Sequence, residues 1–381
     1  MKDTWTRRDA IRGAAGMGAL AFLGQSFAAF AEESAAAGDA EILFLDIQPP
    51  AKMLRWQKLE SWITPIDDVF SVSHYGQPTF DAAQWSLKIG GLVEKPVTLT
   101  LKDLQARRKK EVTATLECSG DGASVTFMGA IGNTRWAGTP LAPLLRECGI
   151  HHRAIEAVFY GIDEKSEKIR ENDYTQNFAR SLSVADALRD DILLAWEMNG
   201  GPLPAAHGGP VRLVVPGWFG IAWVKWLKRI ELLDRRFMSR FMARDYVTIR
   251  GEEVDGKTIW RETSVGPIDV KSMVARASRK KDGTVVLMGA AWTDGTPLEK
   301  VEVRVDEGAW RPAELIKRPR ARYAWTFWRH EWRNPEAGEH KVVSRAIDRE
   351  GRVQPSEDDP SIKLKRTYWE SNQQRARRIR I

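Results

Sequence analysis

Six residues on separate segments carry side chains able to do chemistry: His74, Cys118, Asp163, His207, Arg212 and Lys225. Cys118 stands where a β-type run, 112–116, gives way to Ser119-Gly120-Asp121-Gly122, so it sits at a bend. The chain has only two cysteines, which excludes a disulfide framework. A lone thiol at a strand end is either buried filler or a ligand or nucleophile, and filler is the commoner case. Arginine and lysine suit phosphate oxygens, and histidine can donate hydrogen bonds to the same ligand. Taken singly, each of these residues is more often a surface or satisfied core group. Arg212 is the exception, because it lies inside the Val-rich run 210–215, and a buried arginine needs an anionic partner. Together the set reads as several loops converging on a large anionic ligand. Other chemistries are excluded by pattern. Gly120-Asp121-Gly122 lacks the further glycine and helix onset of a nucleotide loop, and no CxxCH, paired CxxC or HExxH exists.

Short elements must position these residues. Residues 85–90 alternate as a strand with one buried face, and 97–100 lead into a short helix near Leu101. Residues 129–140 read as a glycine-punctuated loop that delivers the chain to a helix marked by Leu141, Leu144 and Leu145, with Cys148 on its core side. Runs 157–161, 192–196 and 210–217 read as buried strands, and 183–188 as a short helix. Short strands, short helices and long Gly/Pro loops imply an α+β domain rather than a doubly wound sheet. Beyond Leu233, the runs 284–291, 300–305, 323–328 and 340–347 are β-type and separated by turns, the pattern of an immunoglobulin-like β-sandwich.

The amino terminus carries Thr6-Arg7-Arg8-Asp9 before an Ala/Gly-rich apolar run and Glu32-Glu33, the layout of a twin-arginine signal peptide cut near Ala31. That route carries folded proteins, so the expected location is the periplasm, with no membrane span in the mature chain. The formal charge is +7, with much of the excess at the two ends and no basic-aromatic stripe between them, so no nucleic-acid partner is expected. The charge suits solubility, an acidic partner or an anionic substrate. The expected division is a leader 1–31, an arm 32–68, a ligand-holding domain 69–235, a β-sandwich 236–370 and a basic tail 371–381.

The run from Leu193-Leu194-Ala195-Trp196-Glu197-Met198-Asn199-Gly200-Gly201-Pro202 through His207-Gly208-Gly209-Pro210-Val211-Arg212 to Val224-Lys225-Trp226-Leu227 resembles the sulfite oxidase family of molybdenum enzymes. Thr115-Leu116-Glu117-Cys118-Ser119-Gly120 resembles that family's molybdenum-cysteine loop, and Arg135-Trp136-Ala137-Gly138 its next landmark. The likeness covers almost all of residues 65–365.

The resemblance implies a molybdopterin-binding domain followed by a dimerisation-type β-sandwich. It implies one molybdopterin, with Cys118 as the protein's thiolate ligand to molybdenum. His74, Asp163, His207, Arg212 and Lys225, with Ser71, Val72, Ser73, Trp223 and Val224, would hold the pterin and its phosphate. Tyr246 falls where the family keeps a tyrosine beside the reacting oxygen, with Asp245 tuning it. The implied activity is oxidation of sulfite to sulfate in a homodimer. No haem belongs to this chain, so electrons leave to a separate acceptor, a c-type cytochrome. Three positions depart from the family. Val72, Gly122 and Ala123 stand where it has arginines for the sulfite dianion; Arg55, Arg135 or a residue of the second domain could substitute. The alternatives are a molybdoenzyme acting on another sulfur compound or a sulfoxide, and a cofactor-free periplasmic binding module.

Overall fold

The computed structural model describes residues 39–46, 53–124, 126–316 and 321–381, so the leader expected at 1–31 lies outside the described residues. Three larger sheets organise the chain. In the first, Leu227–Leu233 pairs in parallel with Ser86–Gly91 and antiparallel with Glu156–Ile169, which forms a long hairpin with Asn172–Ser183. Val97–Thr100 closes the other edge. Leu87 and Ile89 point inward at alternate positions and are fully buried, as the period-2 pattern requires. The second sheet runs in the order Arg212–Val214, Leu193–Met198, Ile131–Pro140, Lys110–Glu117. One hydrophobic core joins the two, drawing Leu87, Phe159, Leu194 and Leu213 together.

The third sheet has eight strands and folds over itself. Lys271–Arg279 and Glu339–Asp348 face each other across its core, and Ser272 Oγ lies 2.9 Å from Ser344 Oγ. The segments expected as an arm and a free basic tail both enter this sheet. Ala40–Ile42 pairs with Lys271–Arg279, and Arg377–Arg380 pairs with Glu339–Asp348. Arg377 is buried, bonded to Asp46 and to the Val274 carbonyl, so the tail is structural rather than a solvated charge run. A separate hairpin, Val247–Val254 with Lys257–Ser264, occupies the connection ahead of it.

The expected α+β balance gives way to a mostly β molecule. The longest helix among the described residues, Leu141–Glu147, has seven residues. The others are about a single turn each, and three are held by local caps, such as the reciprocal Thr100–Asp103 box on Leu101–Gln105. The loop expected at 129–140 is largely the strand Ile131–Pro140. Its glycines mark close approach, not turning: a Cβ at Gly138 would lie 2.1 Å from the Leu194 carbonyl oxygen. Asp163, expected on a loop, sits within the strand Glu156–Ile169 where the pairing register shifts between Tyr160 and Glu164. Residues 69–74, which carry His74, form no strand.

The second and third sheets meet through a buried ion pair. Lys271 Nζ donates to Glu117 Oε1 at 2.6 Å and to the Asp121 carbonyl at 2.6 Å, while Trp292 Nε1 donates to Glu117 Oε2 at 2.7 Å. Lys271, Glu117 and Asp121 are each no more than 2% exposed. Removing one partner strands the other charge without water. Lys271→Ala is therefore expected to cost about 3–5 kcal/mol in a urea unfolding curve, and a loss under 1 kcal/mol would show that the pair is not structural.

Candidate functional site

Cys118 ends the strand Lys110–Glu117, and its amide is fixed by the Ala130 carbonyl at 2.9 Å. The turn behind it is closed by Asp121 N–H to the Cys118 carbonyl, and the Ala130 amide donates to Asp121 Oδ1 at 2.7 Å. Burial pushes the Cys118 thiol up to about 12, so it stays protonated at neutral pH unless a strong electrophile displaces the proton. A bound metal ion is such an electrophile, because a coordinating thiol is deprotonated outright.

On one side of Cys118 lies a recess of about 650 Å³. Ser71, Val72, Ser73, His74, Asp163, His207, Arg212, Trp223, Lys225 and Tyr246 all line it with Cys118. Of the expected site residues, Val224 alone does not reach it. Its side chain is fully buried and its carbonyl accepts from the Leu213 amide, so the chain there serves the core. Sequence reasoning passed over Ser119, Phe178, Gly220, Ile221 and Trp226, which also line the recess. Apolar and glycine positions carry no chemical signal of their own.

The recess is built to hold negative charge. The Arg212 guanidinium, 4% exposed, donates to the His207 and Trp223 carbonyls at 2.9 Å each, and no carboxylate pairs with it. Its Nε has no partner at all. Burial lowers Arg212 to about 9 and, with Arg212 as the next cause, lowers Lys225 to about 7. Lys225 Nζ makes two long hydrogen bonds, 3.5 Å to Ser71 Oγ and 3.4 Å to the Ala206 carbonyl, and lies 4.3 Å above the Trp226 ring. Burial raises Asp163 to about 6 against the pull of Lys225. Burial, then Arg212 and Lys225, lowers His207 to about 4, so its ring is a neutral hydrogen-bonding group at pH 7. His74 is lowered too, first by burial and then by Arg240. Its ring packs against the neighbouring pair Phe178 and Phe241, at 5.8 and 5.0 Å, and Nε2 lies 2.8 Å from the Tyr246 hydroxyl. Burial, then Cys118, pushes the Tyr246 phenol far above its usual range, so it keeps its proton. Asp245 is held in an ion pair with Arg240 and adds to the upward push on the phenol.

Beyond Cys118 the site opens into a funnel of about 1640 Å³. Ala123, Phe127, Arg244, Asp245, Tyr246, Glu262, Tyr368 and Trp369 form its walls. Trp369 stacks on Tyr246 at 4.1 Å and 23°. Arg55 and Arg135 line neither space; Arg135 faces Glu111 at 3.8 Å.

The residues present fit a phosphate-bearing cofactor that brings its own metal ligands. Among the described residues no cluster of three His, Cys, Asp or Glu could hold a metal by itself. The unpartnered Arg212 Nε, the loosely held Lys225 and the neutral His207 form one anion-binding side, and Cys118 presents one sulfur at its mouth.

A recess of this kind beside a single cysteine defines a molybdopterin-binding oxidoreductase, and comparison agrees. Residues 74–241 match the oxidoreductase molybdopterin binding domain, and 265–368 the Mo-co oxidoreductase dimerisation domain. The sulfite oxidase of Gallus gallus is 32% identical, over 84% of this chain and 72% of its own. Mitochondrial sulfite oxidase of Rattus norvegicus is 32% identical over 84% of this chain. The chain spans 61% of that relative's length. Among solved structures, the sulfane dehydrogenase SoxCD from Paracoccus pantotrophus superposes with a TM-score of 0.72 at 26% identity, covering 91% of this chain and 88% of that one. The chain belongs to the sulfite oxidase family.

The charge on Lys225 gives the recess a pH dependence. With its folded-state value near 7, well below the usual lysine range, the ammonium is charged below that pH and neutral above it. In cofactor-depleted protein, sulfate, a dianion across this range, should raise the melting temperature more at pH 6 than at pH 9. The difference should shrink but not vanish in Lys225→Met, because Asp163 and Arg212 also change charge within this window; a shift independent of pH in the wild type would contradict it.

Proposed function

We propose that the protein is a periplasmic molybdopterin oxidoreductase that oxidises a sulfur centre by oxygen-atom transfer, works as a homodimer and passes electrons to a separate c-type cytochrome. The observation that carries the activity is the place of Cys118, at the junction of a cation-lined recess and an open funnel. When bound, the molybdenum-pterin group supplies two-electron oxygen-atom chemistry and carries the redox step. Cys118 would hold the metal; Arg212 and Lys225 would hold the phosphate, with His207 and Ser71 bonding to it. The folded-export leader supports the periplasmic location, and the match to a dimerisation domain supports the homodimer. The eight-stranded sheet closing on one core supports the immunoglobulin-like reading of the second domain.

The work of this chain's residues is binding, orientation and proton control. Tyr246 keeps its phenolic proton, lines the recess with Cys118, and has its hydroxyl fixed 2.8 Å from His74 Nε2. With His74 donating from Nε2 to the phenolic oxygen, the hydroxyl proton is left to donate to a substrate oxygen. Phe127, Tyr368 and Trp369 give that point an aromatic wall.

The substrate is a sulfur compound with less negative charge than sulfite. Val72 and Ala123 offer no cation, and Arg244 is set among Asp245 and Glu262. An arginine at Gly122 is disfavoured, because φ is +85° there and a Cβ would lie 3.0 Å from Lys271 Nζ. The likeness to a sulfane dehydrogenase supports this reading. Sulfite itself is the second reading, supported by the rat and chicken sulfite oxidases.

Two variants separate the readings. Cys118→Ser should abolish ferricyanide-coupled turnover of any sulfur substrate while circular dichroism stays native. Ala123→Arg should raise kcat/KM for sulfite by about tenfold, the scale of one charge-assisted hydrogen bond. Efficient sulfite turnover by the wild type, unchanged in Ala123→Arg, would restore sulfite as the substrate.

A further inference from the structure

The cysteine loop, residues 118–123, does not hold its own shape. Of its six carbonyls only two are satisfied from within: Cys118 accepts from Asp121 N–H and Gly120 from Ala123 N–H. The Asp121 carbonyl is taken by Lys271 Nζ at 2.6 Å. The Ser119 carbonyl is taken by the Ser371 amide at 3.4 Å. The last two face Arg375. Its Nε and Nη2 donate to the Gly122 carbonyl at 2.9 and 2.6 Å, and Nη2 reaches the Ala123 carbonyl at 3.1 Å. Gln373 Nε2 adds a further bond to Gly122 at 3.3 Å. Arg375 is itself braced by Glu357 at 2.6 Å.

The same stretch of chain builds the roof. A Cβ at Gly120 would lie 3.1 Å from the Tyr368 ring, and Trp369 stacks on Tyr246. The domain match ends at 368, so Trp369, Ser371, Gln373 and Arg375 all lie past it.

We propose that residues 368–375 are a positioning strap for the metal-ligand loop, with Arg375 as its anchor, and that retention of the metal at Cys118 depends on it. The physical reason is the loop's composition. Ser119, Gly120, Gly122 and Ala123 give it little packing of their own, and Gly122 holds φ +85°. Such a loop has many accessible conformations, and each one that moves the sulfur weakens a bond to a metal. A planar guanidinium that takes two successive carbonyls removes that freedom at one end, as Lys271 does in the middle. Arg375 touches neither the recess nor the funnel, so it acts through the loop.

This inference rests on the molybdopterin reading, and one experiment separates the two. Purified holoprotein is held at a fixed temperature, and molybdenum and pterin remaining with the chain are measured after gel filtration over time. Arg375→Ala should release the metal about fivefold faster than wild type, and Arg375→Lys, which keeps the charge but not the fork, should fall between. The melting temperature reports fold separately. Should Arg375→Ala yield no folded protein, Gln373→Ala carries the test with about a twofold faster release. Equal release from wild type and variants overturns the strap, as does a fall in melting temperature with no change in release. Wild-type protein that carries no molybdenum contradicts the cofactor reading and the strap together.

Discussion

Lys271 lies between the Glu117 carboxylate and the Asp121 carbonyl, and Cys118 stands between those two residues in the chain. That buried contact is the constraint on which the rest depends. It ties the strand that ends at the cysteine to the strand Lys271–Arg279 of the opposite domain, with all three residues buried. Burial pushes Glu117 above the usual carboxylate range, and Lys271 pulls it back. A buried ion pair is weak evidence for net stability but strong evidence for register, since any slip would leave an unmatched charge. Here the register places one sulfur at the mouth of a cationic recess. The second domain therefore contributes to the site directly, through Lys271, Trp292 and the chain that follows Tyr368.

The electrostatics divide the site into two halves with different duties. The recess concentrates positive charge on Arg212 and Lys225 and leaves it uncompensated by carboxylates, apart from an Asp163 that burial inclines toward neutrality. Uncompensated buried cations are costly, so the arrangement makes sense only with an anion in place. The funnel is the opposite. It is aromatic, with its one arginine among two carboxylates, and Cys118 stands where the halves meet. A cofactor is held by charge on one side, and a substrate is selected by shape and polarisability on the other.

Much of this was legible in the sequence because the chemistry-bearing residues are scarce and distinctive. An arginine inside a run of valines pointed to an anion, and the motif likeness turned a cysteine at a bend, by type more often filler, into a metal ligand. Tyr246 was visible only through that likeness, since a tyrosine before a strand has no local mark. The folding pattern was less legible. Glycines in 131–140 read as turn formers, yet they are there because another backbone passes close by. Asp163 read as a loop residue, yet a register shift within a strand turns it inward. The basic tail was misread because arginine signals solvent, whereas Arg375 and Arg377 are satisfied by carbonyls and carboxylates far away in sequence. Contacts of that range are invisible to any window along the chain.

The most direct measurement is X-ray absorption at the molybdenum edge, on the purified wild type and on Cys118→Ser. The account predicts a molybdenum shell containing the pterin dithiolene sulfurs and one more sulfur in the wild type, with that one sulfur lost in the variant. An unchanged sulfur shell in Cys118→Ser would remove Cys118 as the ligand and contradict the account at its centre.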